Sequence, residues 1–221
     1  MKKINPIVLV AVLMQLLACS MFQSKPEKNA DELANDGLKA FQKKQYTTAI
    51  ENFEKIKDWY PFSQYAPLAE LKIADSYFEL SEYDKAIVAY EEFENLHPRN
   101  EYIPYVIYQI GQCYFEQIKS IDRDQSVSQK ALSLFKRLVK QYPESEYADQ
   151  AKPKINTCTK NLAEHELYVG LFYFKTNHYK AALKRFEMII SDYPEMQEIH
   201  RQVDPLIVLC KQYLISHKES E

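Results

Sequence analysis

Residues 70–98 read ELKIADSYFELSEYDKAIVAYEEFENLHP. In this stretch Ala74 is followed by Tyr77-Phe78, then by Tyr83, Ala86, Tyr90 and Pro98. The apolar residues recur at helical spacing, and no run alternates long enough to read as a strand. Ala74 on a first helix and Ala86 on a second let two backbones approach closely. The aromatic rings fill the space on either side of that crossing. Pro98 lacks an N–H and closes the second helix.

The same register occurs three more times. One copy holds Gly37, Phe41, Tyr46, Ala49, Phe53 and Pro61. Another holds Gly111, Tyr114-Phe115, Ala131, Phe135 and Pro143, and the last Gly170, Tyr173-Phe174, Tyr179, Ala182, Phe186 and Pro194. In each copy Ala, aromatic and Pro keep relative spacings of four and eight, and all 3 glycines of the chain occupy one repeat position. This resembles the tetratricopeptide repeat. The predicted fold is all-α, a tetratricopeptide-repeat α-solenoid of about four to five helix pairs.

Spacing between the closing prolines grows along the chain. The third copy carries extra residues near Glu116 to Gln129, including Asp122-Arg123-Asp124. The fourth copy is expected to start with an extended helix from about Glu146 to Lys175, with a kink at Pro153. A last helix from Gln197 to about His217 caps the stack, and Pro205 would divide it into two pieces.

Composition narrows the function. With 3 glycines in 221 residues, neither a phosphate loop nor a dinucleotide fingerprint is present. Apolar residues at 46% and charged residues at 27% describe a chain that folds. A net charge of −3 excludes a general nucleic-acid footprint.

The N-terminus reads as a targeting segment. Lys2 and Lys3 precede an apolar run from Ile7 to Ala18, which is shorter than the roughly 20 residues of a membrane span. It ends Leu16-Leu17-Ala18-Cys19, which resembles a bacterial lipobox, with cleavage before Cys19 and acyl (palmitate-type) chains on its thiol and amine. The alternative is an ordinary signal followed by a stray cysteine. Ser20, where Asp would resemble an inner-membrane retention signal, favours the outer membrane. The expected organisation is a signal peptide over 1–18, a lipidated tether over 19–29 and the solenoid over 30–217. Two or three acyl chains anchor stably where one would not.

No catalytic constellation is found. GxSxG, HExxH and a glycine-rich cradle are absent. His97, His165, His178, His200 and His217 lack ligand spacing, and Cys113, Cys158 and Cys210 read as small buried hydrophobes. The expectation is a non-enzymatic protein with no cofactor and no metal.

A binding surface has more support. Four residues after each Gly or Ala stand Phe41, Phe78, Phe115 and Phe174. An aromatic strip along the first helices, rimmed by Asp75, Glu79, Gln112 and Glu116, would suit an extended peptide with aromatic side chains. Core packing of the same rings is the competing reading. Residues 66–101 are acidic on balance, whereas 117–142 are basic, and Lys175, Lys180, Lys184 and Arg185 add a second basic cluster. Arg185 is the expected partner anchor, with Arg123 and Lys184 behind it.

Several segments narrow the resemblance further: YPFSQY at 60–65, YIPYVIY at 102–108, Asp122-Arg123-Asp124, YPESEY at 142–147, and Glu166 to Tyr173 with Tyr193-Pro194. Together with the lipobox they make nearly the whole mature chain similar to the BamD family, lipoproteins of the outer-membrane β-barrel assembly machinery (the BAM complex) of Gram-negative bacteria. That resemblance implies a scaffold on the periplasmic face of the outer membrane. Its C-terminal repeats would hold the barrel insertase through the insertase's periplasmic domains. Its N-terminal repeats would receive unfolded outer-membrane proteins by their aromatic-ending C-terminal signal. Familiar members continue with a further helix past the position of Ser216, where this sequence stops at Glu221. The runner-up is a pilotin-like repeat lipoprotein serving a secretin or a type IV pilus.

Overall fold

A computed structural model describes residues 28–218. The expected signal peptide, Cys19 and most of the expected tether lie outside the described residues. Among those described, nine helices follow one another without a strand: α1 (Ala30–Gln42), α2 (Tyr46–Trp59), α3 (Ala66–Glu79), α4 (Tyr83–Leu96), α5 (Ile103–Glu116), α6 (Ser126–Gln141), α7 (Glu146–Lys175), α8 (Tyr179–Asp192) and α9 (Gln197–Lys218). Each packs on its neighbour in sequence, which gives four antiparallel pairs and a final helix. No described helix is long and apolar enough to cross a membrane.

Each pair is built on one close approach. Gly37, Gly111 and Gly170 face the rings of Phe53, Phe135 and Phe186 on the following helix, so near that a Cβ would stand 2.5–2.7 Å from a ring carbon. Ala49, Ala86, Ala131 and Ala182 are fully buried at the second-helix position. The signature is therefore a packing device: a small residue on one helix admits a full aromatic ring from the next.

The turns inside three pairs share a geometry. Lys44, Ser81 and Asn177 each lie seven residues after the small residue and adopt φ of 59°, 59° and 62°. The residue after each donates its N–H five residues back, as in Gln45 to Ala40 at 2.9 Å, which satisfies carbonyls at the end of the first helix. The third pair replaces this turn with residues 117–125. There Gln125 is buried and donates to the carbonyls of Ser120 and Arg123 at 3.1 and 2.9 Å. His165 of α7 contacts the Ile121 carbonyl through Nδ1 at 2.5 Å, tying the loop down.

Two helix starts carry a side-chain cap. Asn29 and Glu32 form a reciprocal capping box on α1, and Ser145 caps α7. Pro67 and Pro104 sit in the first turns of α3 and α5, where their missing N–H costs nothing. Pro153 lies inside a single 30-residue α7. Pro205 likewise lies inside a continuous α9, so the expected division there does not occur. Packing on both sides, through Ile199, Val203 and Cys210, outweighs the lost hydrogen bond.

The core runs in three clusters. One joins α1, α2 and α3, a second spans α3 to the start of α7, and a third joins the end of α7 to α8 and α9. At ~1.5 Å per residue α7 is about 45 Å long, enough to serve two repeats. Cys113, Cys158 and Cys210 are free and buried in these clusters.

Candidate functional site

The four register phenylalanines lie at the C-terminal ends of the first helices, and all are half-buried. Phe41, Phe78 and Phe174 meet Tyr46, Tyr83 and Tyr179 edge to face, at 5.3, 5.6 and 5.6 Å between ring centroids. Phe115 meets Phe135 at 6.2 Å. The other faces are covered from the next first helix: Lys72 lies over Phe41 at 4.7 Å, Lys154 over Phe115 at 4.5 Å, and Tyr213 packs on Phe174 at 6.4 Å. Phe41, Phe115 and Phe174 are thus held between their own helix pair and the helix that follows it.

The cleft on the first-helix side lies elsewhere, at the N-terminal ends of α3, α5 and α7. It encloses about 570 Å3 and is lined by Gln64, Pro67, Leu68, Leu71, Lys72, Asp75, Phe93, Asn100, Tyr102, Tyr105 and Tyr147. Two tyrosines of its wall touch, Tyr105 and Tyr147 at 5.4 Å, and the buried Tyr108 backs Tyr147 at 5.7 Å. Tyr102 is half exposed at its mouth. Gln64, Lys72 and Asn100 add hydrogen-bonding groups. An apolar, aromatic slot with a few polar groups suits an extended peptide that carries aromatic side chains. None of the four phenylalanines lines it.

Asp75, expected as an exposed rim group, is buried to 5% exposure. Its Oδ1 accepts from the hydroxyls of Tyr90 and Tyr105, each at 2.7 Å, and its Oδ2 accepts from Lys72 Nζ at 2.7 Å. One carboxylate therefore ties α3 to α4 and α5 from within. Burial, with this carboxylate beside them, pushes both phenols well above their usual range. Gln112 is half-buried on α5 and outside the cleft, its Oε1 buried without a hydrogen-bond partner.

The three basic candidates stand in different settings. Arg185 Nη1 donates to Glu166 Oε2 at 2.7 Å, bracing α8 against α7, with side-chain exposures of 35% and 14%. Lys184 beside it is exposed, and both border a shallow depression with Tyr173, Ala181 and Met188. Arg123 projects from the long loop with 70% of its side chain exposed, 3.8 Å from Asp122. The loop that carries Arg123 is tied to His165, next in sequence to the Glu166 that pairs with Arg185.

On the opposite side, α2, α3 and α4 enclose a second cleft of about 730 Å3. Glu54, Asp58, Glu70, Asp84 and Glu92 line it with Lys57, Lys85 and the exposed Val88, and Lys57 pairs with Glu92 at 2.9 Å.

Sequence reasoning had used Tyr102, Tyr105 and Tyr147 only as family marks. Their signal was local: each stands just before or within the first turn of a first helix, where side chains from three helices converge.

Comparison with known proteins completes the description. The family model described as YfiO, outer membrane lipoprotein, matches residues 26–215. The chain is 32% identical over 183 residues to outer membrane protein assembly factor BamD of Rickettsia prowazekii, covering 83% of this chain and 72% of the relative. It is 28% identical to the Caulobacter vibrioides protein of the same name, spanning 61% of that protein's length. The Vibrio cholerae counterpart is 25% identical over 189 residues. Among solved structures, the TPR2AB domain of yeast Sti1 superposes with a TM-score of 0.50 at 18% identity, over 86% of this chain and 72% of that one. The P58(IPK) TPR domain also gives 0.50, at 16% identity, over 83% of this chain and 46% of its own. These two show the fold alone.

Proposed function

The chain belongs to the YfiO family of outer membrane lipoproteins, and from that premise we propose that it is a non-enzymatic scaffold of the outer-membrane β-barrel assembly machinery. Cys19 carries the lipid, so the solenoid faces the periplasm from the outer membrane. The N-terminal repeats take up the aromatic-ending C-terminus of an unfolded barrel protein. The C-terminal repeats, through Arg185, Lys184 and the Arg123 loop, hold the periplasmic domains of the insertase.

One observation carries the substrate half of this reading: the tyrosine-walled cleft between α3, α5 and α7. The slot offers apolar surface and ring edges, while Lys72, Gln64 and Asn100 are placed to hydrogen-bond a peptide backbone or a terminal carboxylate. The relatives' printed name, outer membrane protein assembly factor, supports the assembly role.

Photocrosslinkers placed at Leu68 and at Tyr102, with a third at Phe78 for comparison, test the cleft against a peptide copied from the end of a barrel protein. Capture at Leu68 and Tyr102, lost on competition with unlabelled peptide, is expected. Capture at Phe78 alone would move the site to the phenylalanine register. In parallel, affinity capture from detergent-solubilised envelopes is expected to recover a barrel insertase. A secretin in its place would overturn the assembly role.

A further inference from the structure

The four turns that lead out of the second helices are equivalent in the repeat, so their exposed residues can be compared place by place. Ten residues after the buried alanine stand Trp59, Leu96, Gln141 and Asp192. Directly after the closing proline stand Phe62, Arg99, Glu144 and Glu195. Three of the four turns thus carry a charge after the proline. The first carries a phenylalanine that is 100% exposed, three residues from a tryptophan that is 49% exposed. A ring in that position gains nothing from water, and packing within the chain does not account for it.

This turn is also where the chain enters the fold. Tyr60 donates its hydroxyl to the Lys28 carbonyl at 3.1 Å, and Tyr65 donates to Asp31 Oδ1 at 2.6 Å. Lys28 lies nine residues after Cys19, so an acyl group on Cys19 lies within about 30 Å of this edge even with the tether extended. Tryptophan settles at a membrane–water boundary with its ring in the headgroup layer, and phenylalanine beside it supplies apolar surface that buries at the acyl boundary. A lipid anchor combined with such a second contact holds a surface firmly and fixes its orientation.

We propose that the turn around Pro61 is a membrane-contact site, in which Trp59 and Phe62 enter the interfacial layer of the bilayer that holds the chain's own lipid anchor. The proposal rests on acylation of Cys19. Contact at this edge would orient the solenoid with its first repeat against the membrane and its later repeats directed away from it.

The chain contains a single tryptophan, which makes Trp59 its own reporter. The acylated full chain is reconstituted into vesicles of phosphatidylethanolamine and phosphatidylglycerol, with and without brominated acyl chains, and floated on a gradient. Trp59 emission is expected to shift to the blue and to be quenched several-fold by the brominated lipid. Phe62→Ser is expected to reduce that quenching while leaving flotation and the melting temperature unchanged. A chain that floats with Trp59 unquenched overturns the contact alone. A chain that does not float overturns the anchor and the contact with it.

Discussion

Gly170 and Phe186 touch so closely that the glycine hydrogen is the only side chain the site admits: a Cβ there would stand 2.5 Å from a carbon of the ring. Phe186 is fully buried, so the ring has no free space to move into. Alanine favours a helix over glycine by ~1 kcal/mol, whereas overpacking a closed core costs roughly 1–3 kcal/mol. Gly170→Ala is therefore expected to lower stability by about 1 kcal/mol on balance. In a double-mutant cycle with Phe186→Leu the alanine should cost less than it does alone. Equal cost in both backgrounds, read from urea midpoints, would show that the ring is not what excludes it.

Ser81 offers the opposite experiment. It holds φ of 59° with no glycine to ease it. Left-handed backbone costs an L-residue about 1–2 kcal/mol, part of which glycine returns through its freer unfolded chain. Ser81→Gly should raise stability by roughly 1 kcal/mol or less. Asn177→Gly should gain less, because asparagine tolerates this region. A fall in melting temperature for Ser81→Gly would contradict the turn geometry.

The sequence carried the parts of this fold that repeat. Gly37, Gly111 and Gly170 in one register made the helix crossings legible, and the closing prolines marked the second-helix ends. The bounds of α7 were legible from its apolar period. Pro205 misled, because a local rule about proline takes no account of packing on both sides of α9. The cleft was hidden for a different reason. Its wall joins Leu71, Tyr105 and Tyr147 from three helices, and no one-dimensional pattern states that they meet. Asp75 was misplaced because an acidic residue beside aromatics reads as a rim, whereas here two tyrosine hydroxyls and a lysine allow its burial.

That carboxylate gives a stability test. Asp75→Ala would leave the hydroxyls of Tyr90 and Tyr105 without their acceptor, at roughly 1–3 kcal/mol for each buried group left unpaired. Tyr105→Phe removes one donor of the pair and should cost only about 1 kcal/mol. Asp75→Asn keeps an acceptor and should fall between the two. A melt of Asp75→Ala matching the unaltered protein would remove Asp75 as a strut.

Alkaline pH should loosen the second core cluster. Burial pushes the Cys113 thiol from 9.0 up to about 12 and Cys158 up to about 11, and it raises the Tyr90 phenol as well. These groups lose protons more readily unfolded than folded. Their contribution to stability is therefore complete below pH ~9 and declines as pH rises from there towards the folded values. Urea midpoints measured upward from pH 8 should fall, and the thiols should resist alkylation until the chain unfolds. Rapid labelling of Cys113 in the native protein at pH 8 would contradict its burial.

Arg185 is both a brace and the proposed insertase contact, and the two roles separate by charge exchange. Arg185→Glu alone sets a carboxylate against Glu166, itself only 14% exposed. Breaking a half-buried pair in this way should destabilise the protein and also weaken insertase capture, so the single variant does not tell the roles apart. Adding Glu166→Arg restores an ion pair between α7 and α8 with its polarity reversed. The double variant should recover most of the lost stability. If Arg185 meets an acidic group on the insertase, capture should stay weak in the double variant, because the exposed edge of α8 still presents a carboxylate. Recovery of capture together with stability would show that Arg185 serves the fold alone and that the partner contact lies elsewhere, with Lys184 or the Arg123 loop the next positions to test.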